Sequence, residues 1–415
     1  MIVYLRLLST SFGFAINALR TNKLRTALSF LGVTIGIFSI IAVLAAVDSM
    51  DKNIKSELSG FDRNMIYVFN YSFGPSEVPK WKSEQYPKMK YEEYDYLKRN
   101  LSGVEYASFN YFTKSEQMKY GSNYAEVIMR PCSSDMQYLD NVKVSNGRFF
   151  SESESVNGVP VVVIGHEVAN TLFNGLNPVG QEVRLYGKRF TVIGVIEKQG
   201  SISIGGNQDE SVYMPVNIMR QMYGDNSLVA TTVVILKPSS GVDIKHFEDE
   251  ITNKLKLFRG LKPSDEKNFF VNVFGGMLDM IEKIIGQMNV VGWIISGFSL
   301  LVGGFGIANI MFVSVKERTH LIGIQKAIGA KRRFILFQFL FEAVILSLIG
   351  GVVGIIMVWG IAVLVSNVVD FEFVLSLSNI CIGLTLSAFI GVLSGYLPAR
   401  SAARLDPVEA IRMGG

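Results

Sequence analysis

Four stretches of this chain are too long and too apolar to be water-facing helices. A helix that crosses the ~30 Å hydrocarbon core of a bilayer needs about 20 mostly apolar residues. Ala27–Val47 supplies 21 residues without a charge, and Val290–Val315 is also uncharged. Phe334–Val369 holds one charge, Glu342, and Leu377–Leu397 holds none. None has a polar face to offer water, so each reads as a transmembrane helix rather than a buried helix of a soluble domain. The first run is expected to be a retained span rather than a cleaved secretion signal. It exceeds the roughly 7–15-residue apolar core of such a peptide and starts only after 26 residues.

Charge placement orients these spans, because Lys and Arg concentrate in cytoplasmic segments. Arg6, Arg20, Lys23 and Arg25 precede the first span with no acid among them. Between the second and third spans lie Lys316, Arg318, Lys326, Lys331, Arg332 and Arg333 against Glu317. Arg400, Arg404 and Arg412 follow the fourth span, against Asp406 and Glu409, whereas the connection between spans three and four carries only Asp370 and Glu372. Segment 48–285 holds 27 basic and 30 acidic residues. Both termini and loop 316–333 are therefore expected in the cytoplasm, with 48–285 outside a cell (inner) membrane. Within residues 1–26, Ile2, Leu5, Leu8, Phe12, Ile16 and Leu19 repeat at helical spacing, as in an amphipathic helix lying along the inner surface.

Segment 48–285 is long enough to be a domain, and its patterns alternate between strand and helix. Strands are expected at Asn64–Asn70, Val104–Phe112, Val161–Ile164, Glu182–Leu185, Arg189–Val195, Thr231–Lys237 and Phe269–Phe274. Helices are expected at Tyr91–Asn100, His166–Phe173 and Asp243–Phe258. The expected fold is an α-helical membrane protein with four transmembrane helices and a large α+β extracytoplasmic domain between the first two. That domain comprises two β-α-β units with a β-rich subdomain inserted near 132–215. Gly200–Gly206 with the following Asn207-Gln208-Asp209-Glu210 reads as a polar loop, since it lacks the strand–Gly–helix context of a phosphate cradle.

Two amphipathic runs flank this domain. Val47, Met50, Ile54 and Leu58 follow the first span at three- to four-residue spacing, and Met277, Met280, Ile281, Ile284, Ile285 and Met288 precede the second. A helix from Ala27 to Leu58 would be ~48 Å long, well beyond the hydrocarbon core. Met50, Ile54, Leu58, Met277, Ile281 and Ile284 are thus expected in a stalk of two helices; packing on the domain core is the alternative. Gly32 and Gly36, Gly350 and Gly354, and Gly391 and Gly395 stand at GxxxG spacing, which permits close helix approach within one chain or between two. Glu342 is the one charge inside a span. It lies ~13 Å along a helix from Arg333, within reach of an anchoring partner; a proton or substrate site is the other reading of an intramembrane acid.

Composition narrows the chemistry. Apolar residues are 49% and charged residues 18% of the 415, against ~25% charged in an average globular protein. Disordered, coiled-coil and disulfide-scaffold classes are excluded. Cys132 and Cys381 sit in dissimilar segments, so no bridge is expected, and His166, His246 and His320 lack local zinc spacing. A net charge of +4 gives no reason to expect a nucleic-acid partner. The only Gly-Lys pair, Gly187-Lys188, is followed by Arg189, so the Gly-Lys-Ser/Thr of an ATP-binding loop is absent. The first span begins by residue 27, and no ATPase domain is expected before it.

Loop 316–333 mixes basic residues with Leu321, Ile322, Ile324, Ala327 and Ile328, as in a short amphipathic helix that faces lipid headgroups or docks into another protein. Asn309–Ala330 (NIMFVSVKERTHLIGIQKAIGA) resembles the signature of the FtsX/MacB-type ABC transporter permease family. Further similarities follow in Gln338–Val344, Gly350–Gly354 and Pro398–Arg412, so 286–412 resembles the FtsX-like permease region. Ala18–Gly36 resembles the start of that family's first span. Val161–Phe173, Asn177–Gly180 and Phe190–Val195 resemble its MacB-like extracytoplasmic core.

The resemblance implies a dimeric permease, a homodimer or a related heterodimer, with a cytoplasmic ABC ATPase partner. A periplasmic adaptor is a further partner of such proteins. ATP and magnesium would reside on the ATPase, with no cofactor, metal or catalytic residue on this chain. Lys316, Glu317, Arg318, Thr319, Leu321, Gly323, Ile324, Lys326 and Gly329 would form the ATPase-coupling segment. It departs from the family pattern at Leu321, preceded by His320, where an acid is common after Arg-Thr-Arg, and at Gln325, where the next loop turn is often basic. The implied function is mechanotransmission that exports or extracts an amphiphilic substrate, such as an antimicrobial, peptide or lipoprotein. A signalling device that regulates an envelope hydrolase or sensor is the alternative, and a membrane-tethered binding module a third.

The topology has a direct test. In a cysteine-free background, Lys188→Cys reacts with a membrane-impermeant maleimide in intact spheroplasts, and Lys331→Cys reacts only after the membrane is permeabilised.

Overall fold

The computed structural model describes residues 23–58, 62–198, 202–203, 206–224, 231–368 and 373–412. The expected surface helix over residues 1–19 lies outside them. The chain divides into two compact units, with the boundaries at Asn53/Ile54 and Glu282/Lys283.

One unit is helical. It contains Arg332–Val368, Leu377–Arg404, and the parts of Lys23–Leu58 up to Asn53 and of Phe274–Glu317 from Lys283; all four helices are long and apolar enough to cross a membrane. Each extends beyond the apolar run that identifies it. The fourth continues through Pro398 to Arg404, although the sequence places the start of the tail at residue 398. Proline removes one backbone hydrogen bond, a loss that tightly packed neighbouring helices allow. Pro398, Ala399, Ala402 and Ala403 are all buried.

Glycines and serines set how closely these helices meet. A Cβ on Gly391 would lie 2.8 Å from Val344 Cα, and one on Gly354 would lie 3.1 Å from Phe38 N. One on Gly36 would approach Ser299 O to 2.8 Å, and one on Gly395 would collide with Ala343 Cβ. These four therefore serve packing within the chain. Gly350 is buried, while a Cβ on Gly32 meets nothing within 4 Å. Ser347 donates to the carbonyl of Ser387, whose own hydroxyl donates to Gly383 O at 2.7 Å. At the other end of the bundle, buried Ser49 accepts from Val374 N at 2.8 Å, and Asn379 Nδ2 donates to Asp48 Oδ2 at 3.0 Å.

The other unit is α+β. Strands β1 (Ile66–Phe69), β2 (Val104–Phe112), β12 (Thr231–Pro238) and β13 (Phe270–Val273) form a sheet in the order β13-β1-β12-β2. All three pairings are antiparallel. The two β-α-β units are thus interleaved: β1 and β2 run parallel with β12 between them, and β12 and β13 run parallel with β1 between them. Helices Tyr91–Asn100 and Ile244–Phe258 are the crossovers. Asp243 caps the latter by accepting from His246 N at 2.9 Å, which ends the expected helix one residue short of its sequence boundary.

The inserted part is a seven-stranded sheet. It contains β3 (Glu116–Tyr120), β4 (Asn123–Cys132), β5 (Val144–Gly147), β6 (Val161–Ile164), β7 (Glu182–Leu185), β8 (Lys188–Ile196) and β11 (Ser211–Pro215). Their order is β5-β8-β6-β11-β4-β3-β7, and β7 also pairs with β8, which closes six of the strands into a barrel. The insertion therefore begins at Glu116, not near residue 132. Hairpin β3-β4 is hard to read because β3 buries only Met118 fully. The expected polar loop at 200–210 also differs. Ile202–Ser203 (β9) pairs with Gly206–Asn207 (β10), and Gln208 and Asp209 are buried in a 3-10 turn. Cys132 is buried and Cys381 exposed, and both are free.

If close approach at Gly391 holds the third and fourth spans together, Gly391→Leu lowers the thermal midpoint of the detergent-solubilised chain by several degrees, the effect of about 1–3 kcal/mol of overpacking. Gly32→Leu leaves the midpoint unchanged.

Candidate functional site

Two polar clusters are candidates. In the α+β unit, Asp140 Oδ2 accepts from Arg130 Nη1 at 3.0 Å and from the Tyr213 hydroxyl at 2.8 Å. Arg130 Nε donates to Ser211 Oγ at 2.9 Å. The charges neutralise one another in the interior. Burial pushes the Tyr213 hydroxyl and the neighbouring Cys132 thiol well above their usual pKa ranges, so neither is an activated nucleophile. Among the described residues no group of His, Cys, Asp and Glu could hold a metal. This cluster is a structural tie.

The second cluster is built on loop 316–333. The second long helix ends at Glu317, and a new helix runs from Thr319 to Ala327. Thr319 Oγ1 donates back to Val315 O at 3.1 Å and Lys316 O at 2.9 Å, securing the junction. Arg318, at the break, places Nη1 3.2 Å from Glu342 Oε2 on the third span. Ser314 Oγ lies 3.4 Å from Glu342 Oε1. Glu342 is 1% exposed, so the pair neutralises a carboxylate that has no access to water.

The far end of the loop helix is held by a different device. Ala330 N donates to Gln325 O and Gly329 N to Lys326 O, both at 3.0 Å, with Gly329 at φ +103°. This is the left-handed helix stop that favours glycine. Lys326 Nζ donates to Ala403 O at 2.8 Å and Leu405 O at 2.5 Å, the carbonyls that end the fourth span. A cation there also opposes the helix dipole. Burial, and then Arg332, hold the Lys326 pKa below the ordinary lysine value.

The middle of the loop helix packs on a tail helix, Pro407–Arg412. Gly323 is buried there, and an added Cβ would lie 3.0 Å from both Ala410 Cβ and Ile411 Cγ1. Ile322 is buried in the helical core. His320 is exposed, and the exposed apolar residues are Leu321 and Ile324, joined by Ile328 at the C-cap, 81% exposed. Their spacing of three and four places them on one helix face. The tail helix adds exposed Val408 and Ile411 at spacing three. Lys331, Arg332 and Arg333 are exposed beyond the loop helix.

Of the nine residues the sequence nominates here, Arg318, Thr319, Gly323, Lys326 and Gly329 shape the platform. Leu321 and Ile324 belong to its apolar face, and Lys316 and Glu317 are exposed where the second long helix ends. Ile328, Val408 and Ile411 were not nominated. Ile328 was legible from its spacing to Leu321 and Ile324; Val408 and Ile411 reach the site only through tertiary contact. Among the stalk residues, Leu58 and Met277 pack on the α+β core, Met50, Ile54 and Ile281 are half-buried, and Ile284 is exposed.

Residues 26–254 match the MacB-like periplasmic core domain, and residues 293–407 match the FtsX-like permease C-terminal domain. The uncharacterized ABC transporter permease YknZ of Bacillus subtilis (strain 168) is 32% identical over 402 residues, covering 96% of this chain and 97% of YknZ. The macrolide export ATP-binding/permease protein MacB of Bdellovibrio bacteriovorus is 30% identical over 398 residues, covering 95% of this chain and 60% of that protein. The pyoverdine export ATP-binding/permease protein PvdT of Pseudomonas fluorescens is 30% identical over 402 residues, covering 94% of this chain and 57% of PvdT. The chain thus spans less than two thirds of the fused relatives and aligns with their permease parts; the ATPase lies on other chains or domains.

Removing the guanidinium from the Arg318–Glu342 pair strands a buried carboxylate. Arg318→Met is expected to destabilise the chain by about 3–5 kcal/mol, measured by thermal unfolding in detergent, and Arg318→Met/Glu342→Leu recovers most of the loss.

Proposed function

The chain belongs to the family of MacB- and FtsX-type ABC transporter permeases, and from that premise we propose that it is a membrane subunit through which a separate ATPase moves a periplasmic domain to expel an amphiphilic substrate. It is a multi-pass membrane protein with a periplasmic domain. The reading places it in the inner membrane, with both termini and the loop–tail platform in the cytoplasm.

The observation that carries the reading is the apolar row Leu321, Ile324 and Ile328, held outward on a helix fastened at both ends. An exposed apolar face on a rigid support suits docking into a groove of another protein. The surrounding cations would orient the docked partner and contact anionic lipid headgroups. ATP and magnesium belong to that partner.

The route outward is the second long helix. Its first residue, Phe274, directly follows β13 and donates its N–H to Met65 O at 2.8 Å, and Gly275 N donates to Arg63 O at the same distance. The helix then runs 44 residues without a break, ~66 Å at 1.5 Å per residue. Motion imposed at Glu317 would be passed along this helix towards the periplasmic domain, where the turn before β1 accepts its first two N–H groups. A second copy of the chain would supply the other half of the device, and a periplasmic adaptor would receive the cargo. The relatives that carry macrolide and pyoverdine export in their names support a role in export.

With a co-expressed ATPase subunit, Leu321→Asp/Ile328→Asp is expected to lower permease-stimulated ATP hydrolysis by about tenfold or more while leaving the permease's thermal midpoint unchanged. Undiminished co-purification of the ATPase with this variant would falsify the docking assignment.

A further inference from the structure

The four spans are tied together differently at their two ends. On the outer side, the connection into the fourth span folds back onto the first. Ser49 on the first span is fully buried, and its hydroxyl accepts from Val374 N at 2.8 Å. The preceding residue, Asp48, accepts at 3.0 Å from Nδ2 of Asn379, which is buried in the first turn of the fourth span. Phe373 N donates to Ser366 Oγ at 3.1 Å, which returns the connection to the third span. Phe373 and Leu375 also pack on the core of the bundle. Further in, the first span lies close against the third and fourth. An added Cβ would lie 3.1 Å from Phe38 N on Gly354, and 2.6 Å from Ile41 Cδ1 on Gly383. Directional hydrogen bonds and close packing thus bind the first, third and fourth spans together.

The second span has the opposite distribution. Its polar anchors, Ser314 and Arg318 against Glu342, sit at its inner end. Towards its outer end Val290, Val291, Trp293, Ile294 and Ile295 are exposed, and the buried Ser296 hydroxyl has no partner among the described residues. What it turns to the first span there is apolar: an added Cβ on Gly292 would lie 2.6 Å from Val43 Cγ1 and 3.9 Å from Val43 Cβ. Gly36, which approaches Ser299 O, offers no side chain to obstruct movement. Apolar contact is non-directional, and packed helices shear past one another along such faces.

We infer that the first span is a fixed post, latched to the third and fourth spans by Asp48–Asn379 and Ser49–Val374, and that coupling motion shears the second span against it along the Val43–Gly292 contact. The inference rests on the reading that the second long helix carries motion outward, and it adds which neighbour that helix moves against. Asp48, Ser49 and Asn379 are positioning residues that act through the first span.

Two cross-links in the full cysteine-free chain, with its co-expressed ATPase, separate the two contacts. In Val43→Cys/Gly292→Cys, the 3.9 Å between the two Cβ positions suits a disulfide, and oxidation joins the second span to the first. In Asp48→Cys/Asn379→Cys, a short bismethanethiosulfonate bridges the latch. Free-thiol counts verify each link, and each variant is compared with its own unlinked form. The 43–292 disulfide is expected to lower permease-stimulated ATP hydrolysis about tenfold or more, with recovery on reduction, as when a rate-setting conformational step is blocked. Bridging 48–379 leaves stimulation at or above that of the unbridged form. Full stimulation with the 43–292 disulfide in place overturns the inference, as does loss of stimulation on bridging 48–379. An unlinked chain that stimulates no hydrolysis fails the coupling reading itself, and the inference with it.

Discussion

A carboxylate inside an apolar helix must find a cation or lose its charge, and the inner end of this protein is arranged around that requirement. Glu342 projects from the third span into a buried site, and Arg318 reaches it from the break between the second span and the loop helix. The pair joins two spans and fixes where the loop helix begins. Lys326 fixes where it ends by taking the terminal carbonyls of the fourth span, and Gly323 lets the tail helix approach its middle. Three different interactions thus hold nine residues of helix in one orientation. The apolar row on its outer face is a consequence of that restraint. A loose loop with the same composition would bury Leu321, Ile324 and Ile328 against itself or the lipid.

The α+β unit follows the same logic with different chemistry. Its interleaved strands put β1 and β12 at the centre of the four-stranded sheet, which explains why IYVF in β1 is buried at every position. The long helix that begins at Phe274 starts from the adjacent edge strand, and the turn before β1 accepts its first two N–H groups at Met65 O and Arg63 O. The buried Arg130–Asp140–Tyr213 cluster joins β4 and β11 to the turn at residue 140. Both units therefore place their buried charges where separate elements must be tied together.

Much of this was legible in the chain itself because the relevant signals are local. Uncharged runs of about 20 residues identify spans without reference to neighbours. Tyr91–Asn100, Val104–Phe112, Val161–Ile164 and His166–Phe173 have the boundaries that their patterns predict, since alternation and helical spacing were undisturbed. The β3-β4 hairpin was not legible, because Glu116–Tyr120 alternates too weakly to distinguish a barrel strand from a loop. The β9-β10 ribbon was likewise hidden behind glycine-rich composition.

The coupling segment shows where that reading stops. Its location, its amphipathic spacing and its glycine were in the sequence, as was the single intramembrane acid. That Glu342 answers Arg318, that Lys326 ends the fourth span, and that Val408 and Ile411 stand beside a helix some eighty residues earlier were decided by folding. Periodicity and hydropathy depend on neighbours along the chain, which the sequence orders completely; pairing and burial depend on neighbours in space, which exist only once the helices and strands have packed.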